Sequence, residues 1–150
     1  MKKTFLAIVL TFAAGIASTF ANDNDGISKS VESSFRQDFK TATNVQWQQR
    51  KNFSKATFSL DDQVMFAYYN ADGRLLAVSK NIASENLPIK LQAELKNTYS
   101  NYWISDLFES DSHDATSYYV TLENSDQKIT LQSSNSYDWN IYQRMKKDVE

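Results

Sequence analysis

The chain has 150 residues, with 16 Lys and Arg against 18 Asp and Glu, and it contains no cysteine. The charges are interspersed, so no basic stripe points to nucleic acid, and the missing thiols exclude disulfides, cysteine nucleophiles and a lipid carried on an N-terminal cysteine. One proline, three glycines and 13% aromatic residues describe a folding chain rather than a linker-rich or disordered one.

Lys2 and Lys3 precede an apolar stretch from Phe5 to about Ile16, and small residues then gather at Ala17, Ser18, Thr19 and Ala21. This is the order of a secretory signal peptide, expected over residues 1–21 with cleavage after Ala21; cleavage after Ala17 or Thr19 is the alternative. The apolar run is shorter than the roughly 20 residues a spanning helix needs. The expected product is therefore soluble, in the periplasm or outside the cell, with no membrane anchor after cleavage. Losing Lys2 and Lys3 leaves 14 basic and 18 acidic residues, a formal charge of −4. Residues 22–26 read as a flexible polar tail.

A helix is expected next, because Ile27, Val31, Phe35 and Phe39 recur every four residues between polar positions. Ser28 or Ser30 suits its N-cap, and it should end near residues 41–43. Four strand-like runs follow over 45–50, 53–60, 64–70 and 74–79. Asp61-Asp62 marks one turn and Ala71-Asp72-Gly73 another. The third run is apolar on both faces, as a central, covered strand would be. Pro88 then suits the first turn of a second helix, with Ile89, Leu91, Leu95 and Tyr99 on its apolar side. Strand-like runs return over 102–109, 117–123, 127–133 and 137–142, alternating apolar and polar. One buried and one wet face imply an antiparallel sheet covered by helix on a single side.

The fold class is therefore α+β: a tandem of two helix-plus-antiparallel-four-stranded-sheet units, with the helices on one face of the sheet. The first unit is expected over about 27–82 and the second over about 83–145, within one domain of residues 27–150. The repeat is one of pattern, offset by roughly 60 residues.

No motif carries evident chemistry. His113, the one histidine, lies among Glu109, Asp111 and Asp114, but the spacing, glycine and distal Glu of a calcium loop are missing. Nothing places an activated serine or an oxyanion hole beside it. Asp61-Asp62 and Asp106 with Glu109 read as solvated surface charge rather than acid–base pairs. No catalytic, metal or cofactor residue is assigned. The aromatics are more informative. Trp47, Phe58, Phe66, Tyr118 and Trp139 fall on the phase expected for the core, whereas Tyr69, Tyr119 and Tyr142 fall on the other, and adjacent Tyr102 and Trp103 cannot both point inward. Aromatics on a wet sheet face suit a protein-binding surface as well as cross-strand pairing, so Tyr69, Tyr102, Trp103, Tyr119 and Tyr142 are the candidate protein-binding residues.

The order Phe39, Ala42, Val45-x-Trp47, then Phe53, Ala56 and Phe58, then Tyr69-Asn70-Ala71-Asp72-Gly73-Arg74-Leu75-Leu76, then Leu87-Pro88 opening a helix to Tyr99, and finally Tyr118-Tyr119-Val120-Thr121-Leu122 resembles the PepSY-like family of exported Bacteroides-type proteins. The resemblance covers about residues 30–142 and implies a fold similar to β-lactamase inhibitor protein. Asn135-Ser136-Tyr137-Asp138 departs from it, standing where an Asp-Gly turn would repeat. By analogy the resemblance implies a non-catalytic module that inhibits or sequesters a protein or peptide outside the cytoplasm. The alternatives are an enzyme with an unrecognised carboxylate site in a cleft between the units, and a structural or stress-related envelope protein.

Overall fold

A computed structural model of the protein describes residues 26–147. The expected signal peptide, the Ala21 cleavage point and most of the expected tail lie outside the described residues. The element order is α1 (Lys29–Asp38), β1 (Thr43–Gln49), β2 (Ser54–Leu60), β3 (Gln63–Tyr69), β4 (Leu75–Asn81), a 3-10 turn (Ser84–Asn86), α2 (Ile89–Thr98), β5 (Trp103–Ser112), β6 (Thr116–Glu123), β7 (Gln127–Ser133) and β8 (Asn140–Lys146). The strands form one eight-stranded sheet in sequence order, and every neighbouring pair is antiparallel.

Local chemistry explains the boundaries. Ser28 caps α1 by accepting from the Val31 N–H at 3.3 Å. The helix ends earlier than the sequence suggests, because Phe39 leaves helical geometry at φ −128° and ψ 66° and swings its ring onto Phe58. Asp61 and Asp62 both take positive φ, 49° and 62°, which closes the β2–β3 hairpin in two residues. Gly73 turns β3 into β4 at φ +84°, and a Cβ there would lie 2.8 Å from the Ser30 carbonyl oxygen, so only glycine lets this turn sit against the start of α1.

Both helices lie on the same face of the sheet. Under α1, Val31 and Phe35 pack on Ala56, Phe58, Ala67 and Tyr69, flanked by Trp47, Met65 and Leu75. Under α2, Leu91 and Leu95 pack with Leu87 on Leu107, Val120, Leu122, Ile129, Leu131 and Trp139. α1 and α2 are each ten residues long, and positions 29 and 38 of the first correspond to 89 and 98 of the second, an offset of 60.

Several expectations need correction. Phe66, expected in the core phase, faces away from the helices, because β3 pairs Ala56 with Ala67 and puts Met65, Ala67 and Tyr69 beneath α1. Ile89 is 75% exposed, since Pro88 is the N-cap of α2 and Ile89, in its first turn, lies outside the Leu91–Leu95 stripe. The last strand begins at Asn140 rather than near 137. Residues 134–139 form a turn in which Asn135 Oδ1 accepts the N–H groups of Tyr137 and Asp138, at 2.9 and 3.1 Å, and Ser136 takes φ 64°. Trp139 leaves that turn for the core, donating Nε1–H to the Leu91 carbonyl at 3.1 Å, while Tyr137 and Ile141 stay exposed.

Candidate functional site

The helix-free face is set by strand alternation and register. Lys55 pairs with Tyr68, Tyr68 with Ala77, Phe66 with Ser79, Ser79 with Ser110, Phe108 with Tyr119, and Tyr119 with Gln132. All of these side chains project away from α1 and α2. They form a continuous band. Phe53 meets Tyr68 edge-on at 5.7 Å, Phe66 meets Phe108 at 5.9 Å, and Tyr119 meets Tyr142 at 5.8 Å. Lys55 Nζ rests over the Phe66 ring at 4.4 Å from its centroid and reaches Tyr68 at 5.9 Å. The band crosses the sheet from β2 to β8.

The packing is tight for a face without a covering helix. Tyr68 is 2% exposed and Phe108 6%. The Tyr68 hydroxyl is buried with no hydrogen bond of good geometry, and the Ser79 hydroxyl beside it donates to Ser110 Oγ at 3.0 Å. Burial pushes the Tyr68 phenol up to about 12. Burial, and then the neighbouring Tyr142, raise Tyr119 as well, and Gln132 Nε2 donates to its oxygen at 2.8 Å. Burial, and then the nearby Arg50, hold the Lys55 ammonium below the usual lysine range.

The five candidate residues part company. Tyr119 and Tyr142 lie in the band. Trp103 is 54% exposed on the same face near the end of the described chain, with Lys147 Nζ 4.9 Å from its ring. Tyr102 is half-buried on the helix side, where its ring meets Tyr99 at 5.9 Å and its hydroxyl accepts from Gln127. Tyr69 is fully buried under α1 and donates its hydroxyl to Asp38 Oδ2 at 2.8 Å, so it offers no surface. Phe53, Lys55, Phe66, Tyr68 and Phe108 were missed. The signal for some of them was present: β3 is apolar on both faces, which requires something to cover its second side.

At the opposite corner Glu123 bridges Lys147 at 2.9 Å and Lys128 at 3.2 Å. The bond from Lys147, then one from Ser105, lower the Glu123 carboxyl to about 2. Asp106 is shifted upward, chiefly by burial.

A groove of about 820 Å³ on the helix side lies between α1 and the β5–β6 turn, and it gathers Asp38, Asp111, His113 and Asp114 with Arg74. Asp38 is engaged by Tyr69, and Asp111 accepts from the Thr116 hydroxyl. Among the described residues no cluster of three or more His, Cys, Asp or Glu is arranged to hold a metal ion. None of the described helices is long and apolar enough to cross a membrane.

No protein-family model matches the chain, and no curated protein does. Solved structures do. The fold is similar to that of a DUF2874 family protein from Bacteroides ovatus ATCC 8483, with TM-score 0.70 and 15% identity over 81% of this chain and 89% of that one. It is similar to a protein from Bacteroides eggerthii DSM 20697 named as periplasmic, with TM-score 0.69 and 11% identity over 79% and 88% of the two chains. It is also similar to a BLIP-like protein from Bacteroides fragilis NCTC 9343, with TM-score 0.65 and 19% identity over 79% and 85%. At these identities the likeness is one of fold.

Proposed function

We propose that this chain is an exported, non-catalytic binding module that takes up a protein or peptide on the helix-free face of its sheet. The observation that carries this reading is the continuous aromatic band from Phe53 to Tyr142 on the sheet face that neither described helix covers. Aromatic side chains bury large area at low entropy cost and dominate protein interfaces. A rigid sheet holds them in place, so little ordering is lost on docking.

The BLIP-like neighbour supports an inhibitor-like role, and the neighbour named as periplasmic supports export. PepSY-like kinship remains part of the proposal. So does a tandem of two units, about 27–82 and 83–145. It is supported by a second correspondence besides the helices. The groove formed by Glu32, Phe35, Arg36, Phe39, Lys40 and Ala42 recurs 60 residues later at Gln92, Leu95, Lys96, Tyr99, Ser100 and Tyr102.

The test is capture from periplasm and culture medium with the mature chain, beside a Tyr119→Ala/Tyr142→Ala variant and an Ile89→Ser control on the helix side. A partner lost by the double variant and kept by the control is expected. A captured partner that ignores the double variant, or capture lost equally by the control, removes the sheet-face reading.

A further inference from the structure

Lys55 is out of place in its surroundings. Its stem crosses an aromatic bed made by Phe66 and Tyr68, with Phe53 against Tyr68, and its ammonium stands over those rings. A buried or half-buried lysine is ordinarily paired. Here, among the described residues, no carboxylate forms an ion pair with Lys55 or with Arg50, although Lys80, Lys128 and Lys147 all have such partners. The charge that acts on it is instead a second cation, Arg50, whose guanidinium reaches Gln48 Oε1 at 3.5 Å. Gln48 stands directly opposite Lys55 across the β1–β2 pairing. One end of the aromatic band is thus a cationic spot on a chain whose formal charge is negative.

We infer that Lys55, with Arg50 beside it and Phe53, Phe66 and Tyr68 beneath, receives an Asp or Glu carboxylate presented by a protein segment whose neighbouring apolar side chain lies on the aromatic band. This rests on the binding role proposed above and names the chemistry of what binds. The two cations repel one another, and a carboxylate between them removes that repulsion. The docking segment also displaces water from the Lys55 ammonium, which strengthens the new ion pair. The rings supply apolar area but no donor for a carboxylate, so the lysine carries the discrimination. Burial of the free lysine agrees with this, because its ammonium is already partly desolvated and loses less hydration when the partner arrives.

The experiment uses fluorescein-labelled peptide pools in which Phe, Leu and Trp alternate with Asp or Glu, and a matched pool with Asn or Gln in their place. Binding to the mature chain is read by anisotropy. The acidic pool is expected to bind about tenfold more tightly than the amide pool, the gap shrinking as salt rises from about 50 mM to about 500 mM. Lys55→Met, which keeps an apolar stem over the rings, should abolish the gap and leave amide-pool binding intact. Tyr119→Ala should weaken both pools. Equal binding of the two pools with loss of both in Tyr119→Ala overturns the carboxylate inference and leaves the binding face standing. If no pool binds, or Tyr119→Ala changes nothing, the binding face itself fails. Inorganic phosphate is the competitor: if it displaces the acidic pool at millimolar concentration, the spot is a general anion site and the inference is overturned. As a second readout, the Lys55 side-chain titration followed by NMR should move upward in the presence of the acidic pool and stay in place with the amide pool.

Discussion

Tyr68 and Tyr69 are adjacent in sequence and both buried, yet they serve opposite faces of the sheet. The Tyr69 hydroxyl spends its proton on Asp38, and burial together with that carboxylate raises its phenol well above the usual range. Tyr69→Phe should therefore cost about 1 kcal/mol, while Tyr68→Phe, which removes a hydroxyl without a well-made hydrogen bond, should be neutral within about 0.5 kcal/mol. Urea denaturation of the two variants checks the contrast, and equal losses would mean that the Tyr68 hydroxyl has a working partner. Gly73 is the sharpest backbone constraint. At φ +84° and against the Ser30 carbonyl, Gly73→Ala combines left-handed strain with a steric clash, and it should cost about 1–3 kcal/mol. Thermal unfolding reads that loss directly.

At the scale of elements, the two helices are held to the sheet by different devices. Under α1 the anchor is aromatic: Phe35 contacts Phe58 at 5.0 Å and Trp47 at 5.2 Å, both edge-on. Under α2 the packing is aliphatic, and the Trp139 indole adds a hydrogen bond to the Leu91 carbonyl while the Trp139 backbone N–H donates to Glu94 Oε2 at 3.2 Å. Trp139→Phe keeps a smaller aromatic ring and removes the indole hydrogen bond to the Leu91 carbonyl, and should cost about 2 kcal/mol with faster amide exchange in α2. Glu123 ties β6 to β7 and to the end of the described chain. Its folded carboxyl sits at about 2, below the ordinary value of 4.5, so the stability it contributes is present above the ordinary value and lost as pH falls through about 2. Glu123→Gln should thus cost about 1 kcal/mol at neutral pH, after allowance for solvent screening. That difference should vanish near pH 2, and denaturation curves at the two pH values decide it.

For the whole molecule, one continuous sheet carries two separate cores. They meet where β4 pairs with β5, at a seam of Val78 with Asp111, Ser79 with Ser110 and Lys80 with Glu109, the last forming an ion pair of 2.9 Å. On its helix side the seam carries the charged Asp111, Lys80 and Glu109 beside Val78, and the two apolar clusters are separate there. Phe58→Ala and Leu122→Ala, one from each cluster, should each cost about 2–5 kcal/mol. Without shared partners their effects should add within about 0.5 kcal/mol. A double-mutant cycle tests this, and strong coupling would show that the sheet transmits packing across the seam. On the other side Phe66 and Phe108 bridge the seam, so the aromatic band runs across it from β3 to β5.

The sequence by itself determined the α+β class, the two helices, the eight strands to within a few residues and the residues that fill most of the core. Local rules suffice for these: apolar spacing of four marks Val31 and Phe35, Leu91 and Leu95; alternation marks Val120 and Leu122; Ser28 and Gly73 punctuate by their own chemistry. Only the tertiary structure decided which face of β3 lies under α1. A strand apolar on both faces has no preferred side, and the Ala56–Ala67 register that settles the matter is a cross-strand fact. That choice took Tyr69 out of the candidate surface and set Phe66 on the helix-free face beside Lys55 of β2, with Tyr68 packed into the band beneath. The last strand began late for a related reason, since Trp139 satisfies alternation as well from a turn as from a strand. Alternation reports that a residue is buried, and pairing with neighbours distant in sequence decides against what.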